Sequence, residues 1–302
     1  MNKDKIPMIL GTAIIAYLIH ALNPGKIISL LANIKLSFFI LALAINFLDE
    51  IISAKILYAL LKRPDLRFKD VFLSHISGML YSDITPAKVG YYYTAISLSK
   101  KSDLKKTTNI GVITAIQGIV FLTKAAGCLL GIAYFSYMIG KNMDESLVYL
   151  AALVPLVGFA GTIIFFTTKI PQKLAAKLPY LHAMIENITH MQDAVKKMNK
   201  KDFQTALSLT LVIWFLVGLQ WYLIAHAIGV GISLLDAIFL RPLITAIGFI
   251  PLTPNGLGLA EGGGAIIFSA IGFTAQEGLA FVLLTRINQL IVSSLGLLDL
   301  KG

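Results

Sequence analysis

Charge is the first thing that this sequence lacks. Of its 302 residues, 14% are Asp, Glu, Lys or Arg and 57% are hydrophobic, whereas a soluble domain carries about 25% charged residues. The mean hydropathy of +0.78 points the same way. This composition argues against two soluble domains and favours a single polytopic membrane domain over residues 1–302.

Cysteine is nearly absent as well. The one cysteine, Cys128, excludes an internal disulfide, and neither it nor the five histidines have the spacing of metal ligands. HExxH, P-loop and Ser–His–Asp patterns are also missing. We therefore expect no metal, no cofactor and no catalytic residues.

The net charge of +10 does not indicate nucleic-acid binding, because no basic face with interleaved aromatic residues occurs. Lysines and arginines cluster instead between apolar runs, in the segments 62–69, 100–106 and 169–201. Such clusters are typical of cytoplasmic loops. The segments 139–145 and 229–235 hold no excess of positive charge and are predicted to lie outside the cell.

Six apolar runs are long enough, or nearly so, to cross a hydrocarbon core about 30 Å thick. They are residues 6–22, 36–60, 107–138, 145–168, 203–229 and 274–299. The first run follows a short basic start, and no small-residue cleavage site follows it. It is therefore predicted to be a retained span rather than a signal peptide.

Two further regions, 70–99 and 233–272, are apolar but carry Pro and Gly near the middle. Irregular backbone at membrane depth persists only where it is buried in protein or lines a cavity. Both ends of the first region are basic and both ends of the second are charge-poor, so each must leave the membrane on the side where it enters. We predict two re-entrant broken helical hairpins, one opening to the cytoplasm and one to the outside, with both termini cytoplasmic.

A short repeat links the two hairpins, because TPAKVG in the first matches TPNGLG in the second. Each half also has an amphipathic stretch upstream, GKIISLLANIK in the first and residues 180–201 in the second. The fold class is therefore predicted as all-α integral membrane, with two inverted repeats over residues 1–140 and 141–302. Inverted repeats with broken helices at their interface are typical of alternating-access transporters.

Ionisable side chains within apolar sequence supply the candidate site, because each costs roughly 2.5–3.5 kcal/mol at a helix centre on insertion scales. Glu261 follows the Gly-Leu-Gly break, where a helix N-terminus and glycines would let a ligand approach. Alternatively, Glu261 neutralises Arg241 or Arg286, and the glycines serve helix packing. Each arginine has the bidentate fork that binds phosphate, or could instead snorkel to a headgroup region. The predicted substrate-binding residues are Glu261, Arg286, Arg241, Thr253, Asn255, Gly256, Gly258, Asp83, Thr85, Lys88, Tyr91 and Gln117.

The two hairpin segments resemble those of a known family. YSDITPAKVGYYYTAISL and IPLTPNGLGLAEGGGAIIFSAIGFTAQEGLAFVLLTRI are similar to the hallmark segments of the lysylphosphatidylglycerol synthase transmembrane, or flippase-like, family. That family includes the UPF0104 membrane proteins of bacteria and archaea and the flippase half of multiple-peptide-resistance factors. The resemblance covers essentially the whole chain.

The resemblance also implies site residues. The positions that match the family motifs are Pro86 and Gly90 in the first segment and Thr253, Pro254, Gly256, Gly258, Glu261 and Arg286 in the second. The family usually has an acidic residue and an arginine soon after the first glycine, where this sequence has Tyr91 and no arginine before Lys100. A family Glu-Arg pair is replaced by Gln117 and Gly118. These departures bear on which headgroup is handled.

The resemblance and the topology together predict a lipid translocase in the cytoplasmic membrane of a prokaryote, not an enzyme. It would move a phospholipid or polyprenyl-linked lipid, with Arg286 and Arg241 on the phosphate and Glu261 attracting a cationic group or a proton. No aminoacyl-transferase domain is expected, because the membrane domain takes up the sequence. The alternatives are a membrane enzyme of lipid or lipid-linked sugar metabolism, with Glu261 as base, and a non-catalytic partner of a separate lipid-modifying enzyme. A homo-oligomer is compatible with the sequence.

Overall fold

The computed structural model describes most of the chain. The described residues are 6–63, 65–86, 88–102, 106–139, 163–177, 199–247 and 252–300, with positions 153, 156–157, 160–161, 188–189, 192–193 and 196. The predicted span 145–168 and the amphipathic stretch 180–201 lie largely outside these residues.

The regular elements among the described residues are all helical. The helices are α1 (Ile6–Ala21), α2 (Pro24–Ala32), α3 (Leu36–Leu61), α4 (Phe68–Asp83), α5 (Tyr93–Lys101), α6 (Lys106–Ile139), α7 (Ile170–Lys177), α8 (Lys200–Ala227), α9 (Leu234–Ile247), α10 (Leu259–Ala270), α11 (Ala275–Ser293) and α12 (Leu297–Leu300). Short 3₁₀ turns at Val89–Tyr92 and Ser294–Gly296 lead into α5 and α12.

Four helical stretches are long and apolar enough to cross a membrane: α3, α6, α8, and α11 continued through α12. The bent pair α1 and α2 would supply a fifth. The four long stretches and α1 fall on runs that the sequence predicts as spans, whereas α2 falls on the predicted amphipathic stretch GKIISLLANIK. The protein is therefore an all-helical, multi-pass integral membrane protein, and a count of six spans stays a prediction.

The first predicted span bends sharply at its end. Helix α1 has 16 residues, so at 1.5 Å per residue it is about 24 Å long, shorter than a hydrocarbon core of about 30 Å. Asn23 then adopts a left-handed conformation with φ 60°, and its side chain accepts a hydrogen bond from the Lys26 amide at 3.3 Å. Pro24 starts α2, whose axis lies at 99° to that of α1.

Polar side chains join helices α3, α8 and α11. The side-chain amide of Asn46 in α3 donates to Asn288 Oδ1 in α11 at 3.1 Å, and that of Gln220 in α8 donates to the same oxygen at 2.8 Å. All three residues are buried. Hydrogen bonds of this kind between membrane helices fix which faces pack together. Trp221 and Phe281 pack beside them with ring centroids 5.2 Å apart.

The C-terminal helix α12 packs against α4 and α5. Asp299 in α12 accepts hydrogen bonds from Ser77 Oγ in α4 at 2.8 Å and from Ser97 Oγ in α5 at 2.7 Å. Its carboxylate also forms an ion pair with Lys101. These contacts connect α4 and α5 to the end of α11, because α12 directly follows α11.

Candidate functional site

Both regions that the sequence predicts as broken hairpins contain a break between two helices, and the two breaks meet. The first break lies between α4 and α5, the second between α9 and α10. Pro86 and Pro254 pair as an isolated antiparallel bridge, and the Asn255 amide donates to the Thr85 carbonyl at 3.0 Å. The two TP motifs of the sequence repeat are therefore in direct contact.

Unusual backbone conformations form the tips. Lys88 and Asn255 have φ values of 58° and 44°, and Gly256 and Gly258 have 65° and 84°. Left-handed conformations reverse the chain without continuing a helix, and glycine adopts them at little cost. In the first tip the Thr85 hydroxyl donates to the Tyr81 carbonyl and accepts from a backbone amide 2.7 Å away, which closes the turn.

A buried ion pair fixes the second tip. Glu261 is fully buried, and its Oε1 accepts from Arg286 Nε in α11 at 2.7 Å, while its Oε2 accepts from the Gly258 amide at 2.8 Å. The terminal nitrogens of Arg286 lie 3.3 and 3.4 Å from the Asn255 carbonyl, which accepts from them. The sequence offered this pairing as the alternative to a ligand role. The geometry makes both side chains part of the tip.

Asp83 joins the first tip to the second and to α11. Its Oδ1 accepts hydrogen bonds from the Asn255 side-chain amide at 3.0 Å and from the Gln289 side-chain amide at 2.8 Å. Its Oδ2 accepts from the Ser293 hydroxyl at 2.8 Å. Three donors stabilise this buried carboxylate, which forms no salt bridge with the described residues.

Protein atoms, rather than open space, surround the glycine that starts α10. Gly258 has φ 84°, and a Cβ added there would lie 2.7 Å from the Cβ of Ile14 in α1. Gly229 has a similar φ of 79° but no atom within 4 Å of its added Cβ. Both positions therefore disfavour alanine through their positive φ, and only Gly258 adds a steric cost.

We expect Gly258→Ala to lower the thermal unfolding temperature of the detergent-solubilised protein more than Gly229→Ala does. Both changes place an alanine at a positive φ, which L-residues rarely adopt. Only Gly258→Ala also pushes α1 away from the tip. Equal shifts for the two variants would show that the contact between α1 and the tip contributes nothing to stability.

A cavity of about 250 Å³ lies beside the first tip. Helices α3, α4, α6, α8 and α9 and the turn before α5 enclose it. The lining residues of α3, α6 and α8 lie near the middle of these long helices. The polar and charged lining residues are Asp49, Glu50, Ser53, His75, Ser82, Lys88, Tyr91, Tyr92, Gln117, Thr123, Lys124, Thr210, Arg241 and Thr245.

Three cationic side chains, Lys88, Lys124 and Arg241, face two carboxylates, Asp49 and Glu50, in this cavity. Positive charge is therefore in excess when all five groups are charged. Within the part of the chain that the structure describes, the side chains of Lys88 and Arg241 form no hydrogen bond or ion pair. A lysine has three donors and an arginine five, so this wall offers many donors to an anion.

A chain of three hydrogen-bonded side chains also lines the cavity. Glu50 Oε2 lies 2.7 Å from His75 Nε2, and His75 Nδ1 lies 2.8 Å from the Tyr91 hydroxyl. The three side chains are buried, with 6%, 2% and 7% of their residues' surface exposed. Asp49 is held separately, by a hydrogen bond from Ser53 Oγ at 3.3 Å.

The structure divides the predicted site residues into two groups. One group lines the cavity: Lys88, Tyr91, Gln117 and Arg241. The other forms the contact between the tips: Asp83, Thr85, Thr253, Asn255, Gly256, Gly258, Glu261 and Arg286. Thr253 is fully buried, and its hydroxyl has no hydrogen-bond partner in the described structure.

Sequence reasoning did not select several cavity residues. Asp49, Glu50 and Lys124 carry the signal of charge within apolar sequence, which would have included them. His75 carries no such signal, and its role depends on partners 25 and 16 residues away in the chain. Among the described residues, no three His, Cys, Asp or Glu side chains are placed to hold a metal ion.

The fold and the site define the class of the protein before any comparison: a multi-pass helical membrane protein with a charged cavity among its central helices. The profile of the family described as "Lysylphosphatidylglycerol synthase TM region" matches residues 7–296. The chain therefore belongs to this family, and the resemblance noted in the two hairpin segments is confirmed.

Curated relatives agree with this membership. A UPF0104 membrane protein of Methanocaldococcus jannaschii is 23% identical over an alignment 317 positions long, which covers 98% of this chain and 93% of the relative. A UPF0104 membrane protein of Methanothermobacter thermautotrophicus is 21% identical over an alignment 319 positions long, which covers 98% of this chain and 94% of the relative. A second protein of this type from Methanocaldococcus jannaschii is 24% identical over 184 residues, which cover 61% and 76%.

Proposed function

We propose that the protein is a lipid translocase of a prokaryotic plasma membrane, and that the polar headgroup of its substrate occupies the cavity. The substrate would be a phospholipid or a polyprenyl-linked lipid, moved between leaflets without chemical change. The observation that carries the proposal is a cavity enclosed by α3, α4, α6, α8 and α9, in which the side chains of Lys88 and Arg241 form no hydrogen bond or ion pair with the described residues.

Charge identifies the part of the lipid that binds. A cation at the bilayer centre is costly unless an anion accompanies it. The guanidinium of Arg241 matches two phosphate oxygens, and the ammonium groups of Lys88 and Lys124 add point charges. A phosphate or phosphodiester headgroup would satisfy this wall of the cavity.

Size limits what enters the cavity. A volume of about 250 Å³ is below the roughly 300–1,000 Å³ of pockets for drug-sized ligands. A headgroup fits, whereas acyl or prenyl chains do not and would remain in the surrounding bilayer. Val89 lines the cavity and is also 56% exposed, and we propose that the lipid chains pass at this side.

The meeting of the two tips supports the proposed topology. Two re-entrant hairpins that open on opposite faces would end at the same depth, and the bond from the Asn255 amide to the Thr85 carbonyl joins these ends. Six spans, two inverted repeats and cytoplasmic termini complete this arrangement. The cavity would then alternate between the two faces as one repeat moves against the other.

The test is a filled cavity. Thr210 in α8 lines the cavity and is 6% exposed, whereas its neighbour Leu211 is 46% exposed. Thr210→Phe places a ring in the headgroup space, and Leu211→Phe adds similar bulk on the outer surface. In reconstituted vesicles with a fluorescent phospholipid, we expect Thr210→Phe to move lipid at least about tenfold more slowly than wild type. This corresponds to an activation free energy that is higher by about 1.4 kcal/mol or more.

Leu211→Phe should move lipid at the wild-type rate, and the lipid should keep its mass in all samples. Wild-type vesicles no faster than empty ones, across several lipids, would contradict the proposal. A change in lipid mass would favour a membrane enzyme instead.

A further inference from the structure

We propose that the chain Glu50–His75–Tyr91 is a proton-binding site and that lipid movement is coupled to proton movement. This inference rests on the proposed function, because it assigns an energy source to the same cavity. All three side chains line the cavity. Phosphate binding by Lys88, Lys124 and Arg241 does not require Glu50, His75 or Tyr91. The arrangement of these three side chains therefore needs a separate explanation.

The geometry suits a histidine that changes its protonation state. Both ring nitrogens of His75 lie within hydrogen-bond distance of a partner, Glu50 Oε2 at 2.7 Å and the Tyr91 hydroxyl at 2.8 Å. A neutral imidazole has one N–H and one acceptor nitrogen, whereas an imidazolium has two N–H donors. A carboxylate accepts in both states, and a tyrosine hydroxyl either donates or accepts. The same heavy-atom positions therefore fit both states.

Protons reach His75 through Tyr91. In the neutral ring, Nε2–H donates to Glu50 and the Tyr91 hydroxyl donates to Nδ1. On protonation the Tyr91 O–H bond breaks and an Nδ1–H bond forms, while the Tyr91 oxygen takes up one proton from the cavity. Tyr91 is neutral before and after, and His75 gains one proton and one positive charge. The reverse sequence returns the proton to the cavity.

Charged and titratable groups on every enclosing element act on this site. Asp49 and Glu50 belong to α3, and Asp83 ends α4. Lys88 and Tyr92 lie in the turn before α5, Lys124 lies in α6 and Arg241 lies in α9. Helix α8 contributes Thr210 and Trp214, which carry no charge. Glu50 is the group in direct contact with the ring, and it stabilises the imidazolium.

The proton and an anionic headgroup should favour each other. A protonated His75 adds positive charge to the cavity and so strengthens phosphate binding, and by reciprocity a bound phosphate strengthens proton binding. A cavity that carries both or neither moves one proton with one lipid in the same direction. The lipid should then accumulate in the leaflet that faces the higher pH.

The experiment uses reconstituted vesicles with NBD-labelled phosphatidylglycerol, a one-unit pH gradient and trapped pyranine. For one proton per lipid, each pH unit drives a leaflet ratio of up to about tenfold, which dithionite quenching measures while pyranine reports the protons. We expect this asymmetry and proton uptake in wild type. We expect His75→Gln to show no gradient-driven asymmetry, and Tyr91→Phe to lose most of the proton uptake.

His226→Gln is the matched control. This histidine in α8 packs against Tyr222, with ring centroids 4.1 Å apart and the rings tilted by 39°, and it does not line the cavity. The variant should therefore behave as wild type. Gradient-driven asymmetry that persists in His75→Gln, or in Tyr91→Phe if His75→Gln does not fold, would overturn the relay. Wild-type exchange without asymmetry or proton uptake would overturn the coupling and leave the translocase standing. No exchange above empty vesicles would overturn both.

Discussion

Arg241→Gln should slow lipid translocation by about 10- to 100-fold, while the protein remains folded. The guanidinium lies in α9 at the cavity wall and has no hydrogen-bond partner among the described residues. Hydrogen bonds to a charged group contribute about 1.5–3 kcal/mol, which corresponds to that range of rates. Arg241→Lys keeps the charge but loses the fork, so its rate should fall between the two.

The measurement is the initial rate of dithionite-sensitive lipid exchange at equal protein density. Arg67→Gln is the control, because Arg67 is 79% exposed and pairs with Asp70 on the surface. A wild-type rate in Arg241→Gln would show that Arg241 does not bind the phosphate. A loss of rate in Arg67→Gln as well would mean that the assay reports general damage.

Glu261→Gln should destabilise the protein by about 3–5 kcal/mol, because it leaves the charge of Arg286 without its buried partner. The Glu261 carboxylate has no exposed surface, and it also accepts a hydrogen bond from the amide of Gly258, the residue before α10. Arg286→Gln should destabilise by a similar amount. The double variant Glu261→Gln/Arg286→Gln should recover part of the loss, since no unpaired charge remains.

Thermal unfolding of the solubilised variants measures this effect. Asp65→Asn removes a partner of Arg63 at the surface, where both side chains are substantially exposed, and should change stability by less than about 1 kcal/mol. If Glu261→Gln were as stable as wild type but inactive, the ion pair would not be structural, and Glu261 would regain the ligand role that the sequence suggested.

The amino-acid pattern was sufficient to locate the long helices among the described residues and the two breaks. The run 36–60 corresponds to α3 (Leu36–Leu61), and 203–229 corresponds to α8 (Lys200–Ala227). These helices are apolar over most of their length, so composition alone marks them. The breaks follow from proline and glycine, which cannot continue a helix or do so at a cost. The bend at Asn23 was not predicted, although Pro24 directly after it indicates a break in the helix. Hydrophobic periodicity alone does not take proline into account.

Which charged residues line the cavity and which form the contact between the tips could not be predicted in the same way. Arg241 and Arg286 both lie in apolar sequence, and their neighbours in the chain do not show which of them pairs with Glu261. Arg286 meets Glu261 because α10 packs against α11, and Arg241 faces the cavity because α9 packs against α6. Asp83 and Asn255 are 172 residues apart in the chain. Such pairs depend on tertiary packing, which a single sequence does not reveal.

The most direct test of the headgroup site is native mass spectrometry of the purified protein. Wild type and Leu211→Phe should each retain one phosphate-containing lipid, and Thr210→Phe should lose it because its ring fills the cavity. Equal lipid occupancy in Thr210→Phe and wild type, or no bound lipid in wild type, would contradict a headgroup site between Lys88, Lys124 and Arg241.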